Sequence, residues 1–391
     1  MQRSIKVVLS VLIATAFAGG ALSQPQPAAK TGGAAPAKDI AVPNAPNYPT
    51  AVSGRSLEDW IKEIDNPDPS VREQAIMNVL AFGPSARKAI PAITGQVKQL
   101  NDIGPQAHAI MALSDLIPLA PPPPPGGAAD PWATQAVNAL ISVLRSPQAV
   151  IRYRAATALG YIGPQGRAAV SYLVPLVTDI SSWEIRKAAC FALGRVGWDE
   201  QGYPMIAALD ALTRGIEDRE SKGVRLEALQ SVIILGPPAP PRLLEALKRR
   251  MSAERDKTTA IWVRVANIQF NAAERTDKNI GQVAKEIKSN DPDVRLVAIK
   301  AVGLMGQLAK IAVPDLLDAL AKADNPEVRV ELCRALGRMG QYAERAIPAL
   351  ESLQSQENES VKTAARKAAD DIKKGMETAK QQPAQPPKKG P

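Results

Sequence analysis

The sequence predicts an all-α fold, an α-solenoid of about eight or nine antiparallel helix pairs, on three observations. A phrase recurs: NDPDVRLVAIKAVGLMG starts at residue 290 and DNPEVRVELCRALGRMG returns 34 residues later, with weaker copies beginning at Asn66, Ser146 and Ser181. Apolar residues within each copy fall on one face of a helix. Apolar residues make up 45% of the chain and aromatics only 4%, so the interior must be built from small and aliphatic side chains, which suits closely packed helices. A period of this size means stacked repeats, and the array rather than the 391-residue length then sets the domain count.

The chain begins MQRSIKVVLSVLIATAFAGGALSQ, with Arg3 and Lys6 ahead of an apolar run and small residues at Ala21 and Ser23. Residues 1–23 read as a secretory signal cut between Ser23 and Gln24, giving a periplasmic or extracellular protein with no membrane span in its mature form. Residues 24–55 read as a flexible Pro/Ala-rich linker and residues 375–391 as a disordered Lys/Pro-rich tail.

The formal charge of +9 lies mostly at the ends. Arg3 and Lys6 leave with the signal, the linker carries +1 and the tail from Lys373 carries +4, which leaves +2 across residues 51–372. A body so close to neutral has no broad phosphate footprint, and a nucleic-acid partner is not expected.

Between the ends lies the solenoid, residues 56–374. Ser56 with Asp59 forms a capping-box variant that starts an N-terminal lid helix with Trp60 tucked inward. The repeats follow from first apolar positions Val71, Ile103, Ile151, Ile185, Val224, Ile261, Val294, Val328 and Val361. From each, positions +4, +7, +8 and +11 tend to be apolar, one helical face. Three residues earlier stands a capping side chain, namely Asp68, Ser182, Ser221, Thr258, Asp291, Asn325 or Asn358. Pro69, Pro292 and Pro326 suit the first helical turn. Glycine at +12 (Gly83, Gly163, Gly197, Gly236, Gly306, Gly340) closes the first helix, and glycine at +9 (Gly160, Gly194, Gly303, Gly337) lets another helix approach. Pro91, Pro314 and Pro348 share position +20, where they either kink the second helix or mark its start. The second repeat has Gly104 and the sixth Trp262 where the others have arginine, and the sixth has Gln269 on its apolar face, so these two are either irregular or absent in this register. The proline-rich insertion 118–130 accounts for one long spacing of 48 residues, either as a stiff spacer or as a ligand for aromatic grooves. Residues 359–375 form the C-terminal lid helix.

These motifs resemble the HEAT repeat, specifically the HEAT-like type of phycobilisome lyases, over residues from about 56 to 374. The resemblance implies a superhelical scaffold. The arginines at +1, namely Arg72, Arg152, Arg186, Arg225, Arg295 and Arg329, resemble the family's stacking position and are expected to make ladder contacts between neighbouring repeats. The resemblance also raises a bilin-lyase-like enzyme as a remote alternative.

Nothing in the sequence builds a catalytic, metal or cofactor site. His108 is the single histidine and falls on the expected buried face, level with Cys190 and Cys333. The two cysteines lie four repeats apart, too far for a disulfide, and are expected to be buried free thiols. Tyr153, Tyr161, Tyr172, Trp183, Trp198 and Tyr203 gather in the third and fourth repeats. Tyr161, Trp183 and Trp198 are the candidate partner-binding residues, with both tryptophans expected to be exposed at loop edges. The expected function is therefore an exported, non-enzymatic scaffold for a protein partner. The alternative is a cell-envelope structural protein holding an anionic wall polymer through its basic tail.

Overall fold

The computed structural model describes residues 48–99, 102–119, 130–355 and 358–381. Residues 1–47, which hold the expected signal and most of the expected linker, most of the proline-rich insertion and residues 382–391 lie outside the described residues. A lid helix α1 (Leu57–Glu63) precedes eight helix pairs. These are α2 (Pro69–Leu80) with α3 (Ile90–Val97), α4 (Ile103–Leu116) with α5 (Pro131–Val143), α6 (Ala149–Ile162) with the short α7 (Val170–Leu173), and α8 (Trp183–Val196) with α9 (Ile206–Ile216). Then come α10 (Lys222–Leu235) with α11 (Pro241–Ala253), α12 (Lys257–Phe270) with α13 (Asp277–Lys285), α14 (Pro292–Met305) with α15 (Val313–Lys322), and α16 (Pro326–Arg338) with α17 (Ile347–Leu353). The lid α18 (Glu359–Gln381) follows. One apolar cluster runs through the stack from Leu57 to Ile372. The apolar stretch Pro292–Lys322, long enough by composition to cross a membrane, is half buried in that stack and is broken by a 3-10 turn between α14 and α15.

The first helices start as their capping residues dictate. The side chains of Asp68, Ser182, Ser221, Asp291, Asn325 and Asn358 each accept from a backbone N–H of the first turn. At α12 the cap is Asp256, not Thr258, because its carboxylate takes the N–H of Thr259 and the hydroxyls of both threonines. The +12 glycines have positive φ at Gly83, Gly163, Gly236, Gly306 and Gly340. Gly197 instead has φ −76°, and what it needs is space: a Cβ there would lie 2.4 Å from the Leu193 carbonyl oxygen. Pro91, Pro314 and Pro348 mark the true start of the second helix, each in the first turn of α3, α15 or α17 after a seven-residue 3-10 segment.

Both repeats that depart from the pattern are present as complete helix pairs. In the second, the first buried position is Pro105, three residues after the N-terminal Asp102, while Ile103 is exposed. The shift of two residues puts Gln106, not Gly104, in the arginine's place, where its amide donates to the Val97 carbonyl at 2.8 Å. It also turns His108 off the buried face: its side chain is 43% exposed and Nδ1 lies 3.0 Å from the Gly104 carbonyl. In the sixth, Trp262 is core, while Gln269 reaches back to the Ile233 carbonyl. Cys190 and Cys333 are buried free thiols, and burial raises the pKa of both, that of Cys333 to about 11.

Both ends are longer than expected. Residues 48–55 belong to the N-terminal lid: the Tyr48 ring covers Gly83, and the Trp60 indole donates to the Val52 carbonyl at 3.0 Å. The last helix runs to Gln381 rather than 375, with Met376 packed on the core and the Gly375 backbone against the Gly340 turn. Its outer side carries Arg366 and Asp370 where inner first helices bury apolar or small residues, as a capping helix requires. The insertion is held at both ends by Arg87, which donates to the Ile117 carbonyl at 3.1 Å and pairs with Asp130, the cap of α5.

Successive first helices touch through glycine. A Cβ on Gly160 would lie 3.1 Å from Ala192 Cα, one on Gly303 3.1 Å from Ala335 Cα, and one on Gly337 3.0 Å from Ala368 Cα. Gly194 meets Ser231, whose hydroxyl donates to the Cys190 carbonyl at 2.9 Å and so bonds α10 directly to α8. In all four, position +9 of one repeat faces position +7 of the next.

The +1 arginines join the loops along one edge. Each donates to a carbonyl just before its own helix, at the end of the preceding helix or its exit: Arg72 to Asn66 and Pro67, Arg152 to Ser146 and Pro147, Arg186 to Asp179, Arg225 to Asp218, Arg295 to Ser289, Arg329 to Ala323. Carbonyls at a helix C-terminus lack intrahelical partners and carry partial negative charge, so a cation is favoured there. Arg72, Arg152, Arg186 and Arg225 also reach forward to the next loop: Arg72 to Asp102, Arg152 to Asp179, Arg186 to Asp218 at 2.7 Å, and Arg225 to Glu254 at 2.9 Å.

Gly194→Ala would force a Cβ to 2.9 Å from Ser231 Cα; it is expected to destabilise by about 1–3 kcal/mol. Gly95 in α3 has open space around it, and Gly95→Ala is expected to stabilise by about 0.5–1 kcal/mol. Urea denaturation of both variants checks the pair, and equal effects would mean the glycine contacts do not set the helix spacing. The ladder makes a second prediction. Arg186 and Asp218 are both 8% exposed, so Arg186→Met is expected to lose about 3–5 kcal/mol by stranding a buried carboxylate. Arg295→Met, with its single bond to a carbonyl, is expected to lose about 1–2 kcal/mol. Burial alone would raise the Asp218 carboxyl, but the Ser221 N–H and the Arg186 guanidinium hold it below its ordinary value. Its contribution is therefore complete above about pH 4 and is lost as pH falls through the lowered value. Denaturation midpoints should fall in acid for the native chain and fall less steeply for Arg186→Met.

Candidate protein-binding face

The helical repeat leaves one row of each first helix facing outward. On α6 it is Tyr153, Thr157 and Tyr161; on α8 it is Trp183, Lys187, Phe191 and Arg195; on α10 it is Lys222, Leu226, Gln230 and Ile234. Residues four apart lie one above another on a helix, so each set is a stripe, and the three stripes run side by side. Tyr153, Tyr161 and Trp183 are 41%, 39% and 47% exposed.

The expected aromatic cluster divides among different places. Tyr153, Tyr161 and Trp183 share the first-helix face. Tyr172 belongs to the second helices, where Arg145 lies over its ring, and Tyr203 lies in the loop between α8 and α9. Trp198 is not exposed at a loop edge: it is half-buried against the core and bridges Pro204 in the turn that Gly197 opens. From Trp183 it lies beyond the far end of α8, about 20 Å away at 1.5 Å per residue.

Tyr161 is instead paired with a residue that the sequence did not single out. Its ring meets Phe191 edge-on at 5.2 Å between centroids. Gly160 makes this possible, since a Cβ there would lie 2.4 Å from the Phe191 ring. On the other side the Arg195 guanidinium lies 3.6 Å from the Phe191 centroid, and its Nη1 donates to the Phe191 carbonyl at 3.0 Å. Arg195 is also 3.8 Å from Glu227 on α10. Burial lowers the Arg195 pKa and raises that of Glu227, each partly countered by the other's charge. The result is a continuous stack from α6 across α8 to α10: Tyr161, Phe191, Arg195, Glu227.

Two cations flank the stack. Arg154 makes no hydrogen bond or ion pair among the described residues, and its Nε is enclosed without an acceptor. Lys187 is exposed and reaches Glu227 only through its field. Trp183 and Lys187 also border a cleft of about 680 Å³ between the starts of α8 and α10, with the fully exposed Ile180 at its rim. The spacing of four residues from Trp183 was the signal that could have found Lys187, Phe191 and Arg195. Of the arginines at +1, Arg186 also lines this cleft, together with Glu184 and Glu220. Among the described residues no group of His, Cys, Asp and Glu gathers to hold a metal. Chemically the face offers apolar contact, charge and hydrogen-bond donors.

No curated protein matches the chain in sequence. Among solved structures it is similar to an engineered protein, with 16% identity over 82% of this chain and 97% of that one and a TM-score of 0.30. It is also similar to the complex of CpcE and CpcF of phycocyanin lyase from Nostoc sp. PCC7120, with 16% identity over 84% of this chain and 100% of that one and a TM-score of 0.39. A third is Kap121p bound to Pho4p, with 15% identity over 82% of this chain and 37% of that one and a TM-score of 0.43. At such identities the likeness concerns the fold alone. Residues 137–233 and 282–370 match the family described as HEAT repeats; these two stretches are HEAT repeats, and helix pairs of the same kind flank them in the described residues.

Proposed function

We propose that this protein is a non-enzymatic scaffold that, after export, holds a protein partner on the outward face of α6, α8 and α10. The observation that carries this reading is the exposure of Tyr153, Tyr161 and Trp183 on adjacent stripes of a chain otherwise poor in aromatics. Exposed aromatic side chains lose little conformational entropy on contact and supply much of the energy at protein interfaces. The packed interior beneath holds these stripes in fixed positions, so a partner meets a surface already organised. Export rests on the N-terminal sequence, with its basic start, apolar run and small residues before Gln24.

Lysine-directed crosslinking in the native cells, followed by mass spectrometry, tests the reading. A partner should be crosslinked through Lys187 and Lys222, the two lysines on these stripes. The variant Tyr153→Ala/Trp183→Ala, which removes exposed rings only, should melt at the same temperature as the native chain and lose that crosslink. Crosslinks gathered elsewhere on the chain, or unchanged in the variant, would refute the assignment of this face.

A further inference from the structure

We propose that the stack consists of two arms that turn against each other at a hinge between α12 and α14, one arm within residues 48–288 and the other within residues 289–381. The three stripes of the proposed face lie wholly on the first arm, so the hinge goes beyond that assignment and stands or falls without it.

Two restraints hold one first helix against the next: the backbone contact at the +9 glycine and the forward pairing of the +1 arginine. Between α6 and α8 both are present, at Gly160 and Arg152, and between α8 and α10 again, at Gly194 and Arg186. The step from α2 to α4 keeps the pairing of Arg72 with Asp102. From α4 to α6 the forward pairing is dropped at Gln106, but the +9 residue, Ser114, is small and buried, and Arg145 lies over the Tyr172 ring in the second layer. From α10 to α12 the glycine is replaced by Ile233. Three polar links remain there: Arg225 with Glu254, Lys222 with Asp256 at 3.0 Å, and the Gln269 amide donating to the Ile233 carbonyl at 2.9 Å. Beyond α14, Gly303 and Gly337 restore the backbone contact, and the Gly375 backbone lies against the Gly340 turn.

At α12 both restraints are missing together. Position +9 is Phe270 and position +1 is Trp262, and among the described residues no side-chain hydrogen bond or ion pair joins α12 to α14 or to the loop before it. What is left is apolar packing, with Trp262, Val265 and Ile268 buried. Apolar contact is non-directional, so it opposes separation of two helices far more than their rotation. In the second layer Lys288 reaches Asp315 at 2.7 Å, a water-exposed pair of the kind that restrains little.

Trp262 also disfavours a single fixed arrangement. The +1 arginines donate to the carbonyls before their own helices, whereas the Trp262 indole N–H is enclosed without an acceptor. A buried donor left unpaired raises the energy of the packing that encloses it. Sliding and turning of packed helices at such a contact moves the elements on either side as units.

Double electron–electron resonance between nitroxide labels tests the hinge on three pairs of exposed positions, each spanning two repeats. They are Ser171→Cys/Lys248→Cys within the first arm, Lys248→Cys/Ala321→Cys across the hinge, and Ala321→Cys/Thr363→Cys within the second arm. The native thiols Cys190 and Cys333 are buried and stay unlabelled. The distance distribution of the crossing pair is expected to be about twofold broader than those within the arms. Trp262→Arg places an arginine at +1 before Asp291, the cap of α14, as Arg72 stands before Asp102 at the start of α4, and is expected to narrow the crossing distribution to the width of the others. Equal widths for the three pairs without that substitution overturn the proposal, whether or not Trp262→Arg folds. A crossing width left unchanged by Trp262→Arg, in a chain that circular dichroism shows to be folded, overturns it as well, because the missing restraint would not be the cause of the motion.

Discussion

The close approach of successive first helices governs this molecule. Gly160, Gly194, Gly303 and Gly337 each place bare backbone against alanine or serine of the next repeat, with no room for a methyl group at Gly194. Helices packed this tightly accept little more than small side chains along the contact, which is why alanine fills so many buried first-helix positions, among them Ala155, Ala158, Ala189, Ala192, Ala298, Ala301 and Ala335. Large rings have few places inside. Trp60 sits under the N-terminal lid, and Trp262 is buried in α12, next to the step where Ile233 of α10 replaces glycine. Phe82 and Phe270 are buried at the C-terminal ends of first helices, and Tyr153, Tyr161, Tyr172, Trp183 and Tyr203 are exposed. The same constraint that makes the interior alanine-rich therefore brings rings to the surface.

Helix spacing alone does not fix the loops, and the arginine ladder supplies that restraint. An arginine at +1 answers two needs, the orphan carbonyls at the end of one helix and the acid in the following loop. Where Gln106 replaces arginine, the backward bond survives and the forward charge pairing is dropped. The insertion after α4 leaves from the opposite edge, where Arg87 holds both of its ends, so added length there does not disturb the ladder. Closing a longer loop adds only a small entropic penalty once its ends are fixed.

Features dictated by the backbone were legible in the sequence, because a cap, a left-handed glycine or a first-turn proline has a local cause and a fixed offset. Asp291, Pro292 and Gly306 announce α14 without knowledge of anything distant. The second repeat misled because Ile103, an apolar residue at the helix start, imitates the first buried position that Pro105 occupies. Thr258 misled at α12 because a threonine near a helix start looks like a cap, while Asp256 two residues earlier binds the same N–H more strongly through a charge. The proposed face was read in part. Tyr161 and Trp183 stood out as rare aromatics, but Phe191, Lys187 and Arg195 were invisible to an alignment of buried positions, which treats every outward residue as unconstrained.

That lack of constraint is what suits the outward row to recognition. At position +2 the chain carries Tyr153 on α6, Lys187 on α8, Leu226 on α10 and Val330 on α16, while +1 is arginine on all four and +9 is glycine on α6, α8 and α16. Residues at these offsets touch neither the glycine contact nor the ladder, so substitution there leaves the stack intact. The Tyr161, Phe191, Arg195 and Glu227 stack is the point where the two regimes meet, since Phe191 needs the bare backbone of Gly160 to lie flat across α6. A glycine that sets the helix spacing thus also gives the surface its aromatic platform, and Gly160 could not be replaced by alanine without disturbing both.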